Sequence, residues 1–397
     1  MANKRRVHRR ESNNIIEFMS SKTFITVVIV LIILIIIFVG IYEYINYNEK
    51  QQISLEKAKI ATEMDDIYNK ASADYADLNN YKTNKLIRIS AVGDILCGTN
   101  LQKYGQDYNN IFSDISKYLS DSDMNIGTFE FNINSENKTF ADSVKNSGIN
   151  LVSIAHNHSL DMGTNGLDET KKYLEENSID TVGKSSDNAS DRVKIKEIKG
   201  VKIAFLAYTY DNHKTGVNIY SEELAKEDLK YAKENAAFSI VMMHWGNTNT
   251  NTISETQKEQ AKFLINNGAN VIIGAHPSTV QKMEMVQNED GQDCFIAYSL
   301  GDYTSDFAVE NANLELILNM QIFVDKDGKA SIYKIDYTPV YMEDYGTKFT
   351  ENRFKILDMK KEISNYDTEN STIDKKTYEK LIRGINKLQE VLNINNN

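Results

Sequence analysis

The chain has 397 residues and a net charge of −11, and its 41% apolar and 25% charged fractions are those of a folded globular protein, not a disordered or fibrous one. Two cysteines are too few for a disulfide framework, so a hydrophobic core must hold the fold together. The acidic balance argues against a surface that wraps a polyanion, and so against nucleic acid as a partner, while leaving room for a local cationic site around a metal.

Residues 1–22 carry Lys4, Arg5, Arg6, Arg9, Arg10 and Lys22 against Glu11 and Glu17. Residues 23–45, TFITVVIVLIILIIIFVGIYEYI, follow directly, and the first 20 or so lack any charge. That length crosses roughly 30 Å of hydrocarbon. A buried soluble helix or a cleaved signal peptide would be the other readings. The run exceeds the 7–15 apolar residues of a signal peptide, and Tyr42-Glu43-Tyr44 follows it in place of a small-residue cleavage site, which favours a retained anchor. By the positive-inside rule the basic arm stays in the cytoplasm and the rest of the chain lies outside the cell membrane in a single pass. So placed, the arm sets topology and touches anionic lipid.

Residues 46–85 are polar, with Ile53, Ile60, Ile67 and Leu78 loosely at helical spacing, and read as a juxtamembrane stalk. From residue 86 short β-branched runs begin: LIRISAVGD, then MNIGTFEF, NLVSIAHN, KIAFLAYT, FSIVMMHW, NVIIGAHP and CFIAYSLG. Helical patterns between them, over 166–177 and 254–267, predict an α/β domain. ASIYKIDYTPVYME reads as hairpin-like, and residues 374–394 place Leu381, Ile385, Leu388 and Leu392 on one helical face that packs on the domain.

In such sheets chemistry collects where strands end. Asp94, Glu130, His156, Asn157, His158, His244, His276 and Asp302 all stand there. A single histidine among apolar neighbours is most simply a core residue bonded to a carbonyl. Four of them mixed with carboxylates and an amide oxygen are the ligand set of a Zn-, Mn- or Fe-class divalent ion. Other residues stay open between roles. Asp94 and Asp302 also read as turn carboxylates. Trp245 could stack on a substrate or pack behind His244. Asp161 could orient a histidine or serve a turn, and Cys97 could be a soft ligand or core filler. Whether Cys97 and Cys294 pair is not legible.

Six motifs in order, AVGDILCGTN, NIGTFEFNI, the block from INLVSIAHNHSLDMG through DTVG, VMMHWGN, VIIGAHPSTVQ and AYSLGDY, make the chain resemble the poly-gamma-glutamate capsule biosynthesis (CapA-type) family, itself similar to calcineurin-type metallophosphoesterases. The resemblance implies an α/β four-layer α-β-β-α metallophosphatase-like sandwich over residues 86–345, preceded by one transmembrane helix and followed by a C-terminal helical extension over 346–397. It further implies that Asp94 serves a first metal, Glu130 bridges two, and Asn157, His244 and His276 complete the second. His158, with Asp161, would face the reacting group as acid or hydrogen-bond donor. The chain departs from the family's pattern at Ser278, where an imidazole ligand of the first metal is expected, and at Thr248, His156 and Asp302. One ion or two therefore stays open, and His156 and Asp302 are the residues that could compensate. The implied function is synthesis, release or export of an anionic polymer such as poly-gamma-glutamate, beside membrane synthase or export subunits. A metal-dependent hydrolase of envelope phosphoesters and a non-catalytic scaffold with a decayed metal site are the competing readings.

Overall fold

A computed structural model describes residues 19, 22–71, 85–104, 107–210, 216–305, 312–346 and 353–392. Most of the basic arm and residues 72–84 of the stalk lie outside the described residues. The chain divides into two compact units, Met1–Ile60 and Ala61–Asn397.

Helix α1 (Lys22–Ala71) contains the expected anchor and continues without a break into the segment read as stalk. Its part Phe24–Thr62 is long and apolar enough to cross a membrane, with a mean hydropathy of 3.6 in its most apolar window and none of that window buried. An unburied apolar surface of this length is what a bilayer covers and water does not.

Fourteen strands follow among the described residues: β1 (Lys85–Ile95), β2 (Met124–Phe129), β3 (Leu151–Ser153), β4 (Asp180–Val182), β5 (Lys194–Ile198), β6 (Val201–Thr209), β7 (Phe238–His244), β8 (Val271–Ala275), β9 (Met283–Gln287), β10 (Asp293–Ala297), β11 (Asp302–Thr304), β12 (Leu314–Val324), β13 (Ala330–Asp344) and β14 (Phe354–Asp358). One mixed sheet runs β14-β13-β12-β1-β2-β3-β4, with β11 beside the end of β1; the other runs β5-β6-β7-β8-β10-β9. Strands β1 to β4 are mutually parallel, as are β6, β7, β8 and β10. Every residue of β2, β3, β7 and β8 is buried, which requires cover on both faces.

Helices α2 (Lys138–Asn146), α3 (Gly163–Glu176), α4 (Glu222–Asn235), α5 (Glu255–Asn266), α6 (Met359–Asn365) and α7 (Lys375–Val391) supply part of it. Ala225 and Leu229 of α4 and Ala261 and Leu264 of α5 pack on Leu206, Val241, Met243 and Ile272 of the second sheet. Helix α3 lies against β4, and α6 and α7 against β13, in the first. The sheets meet each other through β1 with β8 and β4 with β6, giving the helix-sheet-sheet-helix sandwich.

Local sequence explains the starts. Ser254 caps α5 in a reciprocal capping box with Gln257, and the Asp374 side chain accepts from the Thr377 amide at the head of α7. Buried Leu381, Ile385 and Leu388 form the expected stripe on α7. Two expectations need correction. ASIYKIDYTPVYME is not a hairpin but one long strand, β13, pairing antiparallel with β12; its partner's charged end, Asp325 to Lys329, makes the turn. Residues 346–397, expected as a C-terminal helical extension, also contribute β14, an edge strand paired with β13.

Candidate metal centre

The site is built where β1, β2, β7 and β8 end, together with the loop after β3. Strand β1 closes on Gly93-Asp94, and the backbone there is held on two sides. The Gly93 amide donates to Glu315 Oε1 at 2.7 Å, and the Asp94 amide donates to the Gly301 carbonyl at 3.1 Å. A Cβ on Gly93 would stand 1.8 Å from the Gly301 oxygen, so only glycine permits this approach.

Asp94 is buried and accepts the His276 amide on Oδ2 at 2.6 Å. That bond anchors the His-Pro-Ser turn after β8, where His276 and Ser278 hold φ of 94° and 57°. Left-handed backbone at a non-glycine residue costs about 1–3 kcal/mol and persists only where the surroundings enforce it. Glu130, just past β2, is buried too, and its amide donates to the Ile95 carbonyl. Burial, then the nearby Asp94 and Asp302 carboxylates, push the Glu130 carboxyl well above its usual range.

His244 is the hub. Its Nε2 faces Asn157 Oδ1 at 2.7 Å, His276 Nδ1 at 3.1 Å and Glu130 Oε1 at 3.6 Å, while its Nδ1 lies 3.4 Å from Asp94 Oδ1. One ring nitrogen carries at most one proton, so it can satisfy only one of the three electron-pair donors around Nε2. Glu130, His244 and His276 each offer an atom within 4.8 Å of the others. Asp94 Oδ1, His244 Nδ1 and both oxygens of Asp302 are buried and complete no hydrogen bond. Excess acceptors and unpaired buried oxygens are costly in a protein-only site, and a divalent cation removes the cost, so the residues fit such an ion.

The other expected residues are placed differently. His156 is buried, accepts the His158 amide on Nδ1 at 3.1 Å, and sits with its ring 6.0 Å from that of His244. His158 is half exposed, and its Nδ1 pairs with Asp161 Oδ2 at 2.8 Å. Thr248 is exposed on the loop after β7. Trp245 points into the core, donating from Nε1 to the Tyr298 carbonyl at 2.8 Å and stacking on that ring, so packing behind His244 is its role. Cys97 and Cys294 are buried and form no disulfide, and burial pushes the Cys294 thiol up to about 11.

The sequence profile described as bacterial capsule synthesis protein PGA_cap matches residues 88–307, more than half of the chain, including Asp94, Glu130, Asn157, His244 and His276. The chain belongs to that family. This PGA_cap chain is 27% identical over 260 residues to the capsule biosynthesis protein CapA of Bacillus anthracis, covering 57% of its own length and 61% of that relative. It is 23% identical over 280 residues to the PGA biosynthesis protein CapA of Bacillus subtilis (strain 168), covering 64% of itself and 72% of that protein. The chain thus spans about three fifths of the length of the Bacillus anthracis protein. Among solved structures it is similar to a hypothetical protein from Thermus thermophilus, at 13% identity and a TM-score of 0.44 over 64% of this chain and 98% of that one. It is also similar to a 5'-nucleotidase from Candida albicans, at 13% identity and a TM-score of 0.40 over 78% of this chain and 59% of that one.

Two residues of the PGA_cap site escaped sequence reasoning. Tyr210, one residue past β6, places its hydroxyl 2.7 Å from His276 Nε2, the far side of that ring from His244. In the tautomer whose Nε2–H donates to that hydroxyl, the Nδ1 lone pair faces His244. Its strand-end position was the available signal. Glu315 on β12 is fully buried and braces Gly93; burial raises its carboxyl well above the usual range, and nothing in a strand reading LELILNM marks it.

Proposed function

We propose that α1 anchors the chain in the cell membrane with residues 1–22 cytoplasmic, and that the sheet-bearing unit acts outside on an anionic capsule polymer such as poly-gamma-glutamate during its synthesis, release or export. Family membership supports the polymer, as do the names of the two Bacillus relatives. The basic flank supports the orientation. A single structural observation carries the chemistry: Glu130, Asn157 and His276 converge on His244 Nε2. These four residues hold a Mn-, Zn- or Fe-class divalent ion, with Asp94 beside them. Partners in the membrane would be the synthase or export subunits that deliver the polymer. Deleting the chain from its host should abolish surface polymer, and re-supplying wild type but not His244→Ala should restore it. Unchanged polymer after deletion contradicts the proposal, and rescue by His244→Ala would favour a metal-independent scaffold.

A second reading, hydrolysis of an envelope phosphoester, is favoured by the exposed His158–Asp161 pair. A bound divalent ion supplies Lewis acidity and a hydroxide nucleophile at neutral pH. With Nδ1–H donating to Asp161, the imidazolium form of His158 carries its second proton on Nε2, would hand it to the leaving oxygen and would be left as the neutral imidazole. In phosphodiester and monoester assays with Mn or Zn, His158→Ala should lower kcat by about 100-fold with metal content unchanged. Equal turnover in that variant removes His158 from the chemistry.

A further inference from the structure

Ser278 stands on the turn after β8, two residues past His276, and its hydroxyl is a weaker metal donor than an imidazole. The structure shows what surrounds it. Two Gly-Asp steps, Gly93-Asp94 at the end of β1 and Gly301-Asp302 at the start of β11, lie side by side as parallel strands with Asp94 and Asp302 in direct register. Register partners on adjacent strands project to the same face, so the two carboxyl groups share one space. Asp302 is therefore not the turn residue its place after Gly301 suggests. It is a strand residue 1% exposed, and neither of its oxygens completes a hydrogen bond, although the hydroxyls of Ser278 and Ser305 lie close enough to favour its charged form.

Three buried carboxyl groups thus meet at one place: Asp94 is in register with Asp302 on β11 and, on its other side, with Thr128 of β2, two residues before Glu130. Among the described residues no Lys or Arg acts on the Glu130 or Asp302 carboxyl. His244 lies 3.4 Å from Asp94 and 3.6 Å from Glu130, which leaves Asp302 as the least compensated of the three, an unfavourable place for a buried carboxyl. Asp94 keeps Oδ1 unpaired in the same space.

We propose that Asp302 is a metal ligand in this chain: with Asp94 and the Ser278 hydroxyl it forms a second divalent-cation position, joined through Glu130 to the one held by Asn157, His244 and His276. The inference rests on the metal-binding reading above and extends it from one ion to two. Oxygen donors replace the missing nitrogen, which makes this position harder in character than its neighbour and better suited to Mn than to Zn.

The test uses the full-length chain in detergent micelles, equilibrated with Mn and measured for bound metal per chain and by electron paramagnetic resonance. Wild type should hold two ions with a spin-coupled spectrum. Asp302→Asn, nearly isosteric, should hold one with an uncoupled spectrum, while its metal-free form melts no lower than wild type because a buried repulsion has been removed. Asp302→Asn with Ser278→His, which places an imidazole beside position 302, should regain the second ion. Two coupled ions retained in Asp302→Asn would overturn the proposal. One ion in both wild type and Asp302→Asn, lost in His244→Ala, would overturn it too while leaving the metal-binding reading intact; no ion in wild type defeats both.

Discussion

The two halves of the metal centre are made of different chemistry because two different sheets deliver them. The imidazole half comes from β7 and β8 of the second sheet, whose ends present His244 and His276, with Asn157 reaching across from the first. The carboxylate half comes wholly from the first sheet, where β1, β2 and β11 present Asp94, Glu130 and Asp302. In the first group each donor faces another at hydrogen-bond distance. In the second the oxygens repel, and several stay unpaired. Ser278, on the same turn after β8 as His276 and close to Asp302, joins the two groups, so the sandwich builds one site from two sheet edges.

Backbone packing offers the largest effects with which to break this comparison. Gly93 and Gly274 occupy equivalent roles, one in each half: an added Cβ would lie 1.8 Å from the Gly301 oxygen or 1.9 Å from the Tyr298 oxygen. Gly93→Ala and Gly274→Ala should each destabilise the chain by about 3 kcal/mol in thermal or denaturant unfolding. If Gly93→Ala were neutral, the close approach of the two Gly-Asp steps would be wrong.

Next in size is His244→Ala, which removes the hub and should weaken divalent-ion binding by about 100-fold or more in equilibrium dialysis. A smaller effect is expected at Tyr210→Phe, which keeps the ring but loses the hydroxyl on His276 Nε2; about 10-fold weaker metal binding, with unchanged melting of the metal-free chain, would show that it orients the ligand.

The smallest effect lies outside both halves. Burial raises the Asp344 carboxyl, but the Arg353 fork at 2.6 and 2.7 Å and the Gly346 amide outweigh it and hold the group below its usual range. A lowered folded pKa means its contribution is complete above the unfolded value of about 3.9 and is lost as pH falls through the folded one. Asp344 is 37% exposed, so the contribution is under about 1 kcal/mol. Asp344→Asn should melt slightly below wild type at pH 7, and the gap should close as pH drops below 4; a gap that widened there would reverse the sign.

Much of this arrangement was legible in the sequence because strand ends are. β-branched runs closing on Asp94, Glu130, His244 and His276 announce both the strands and what their ends carry, and the helical spacing of Leu381, Ile385 and Leu388 announces α7. Pairing across the sheets is not written in local pattern. Nothing in residues 301–304 says that they lie parallel to β1 in register with Asp94, because that contact spans more than two hundred residues of chain. For the same reason Asp302 reads as a turn, Tyr210 and Glu315 go unremarked, and β13 is mistaken for a hairpin: Pro339 suggests a break, yet the strand runs on through it, paired with β12.

The central claim, that Glu130, His244 and His276 share a divalent cation, is tested most directly by anomalous X-ray scattering from crystals of the chain soaked in Mn or Zn. The account predicts a peak about 2.0–2.3 Å from His244 Nε2, His276 Nδ1 and a Glu130 oxygen. A fully soaked crystal with no peak there, or with metal bound only elsewhere on the chain, would contradict it.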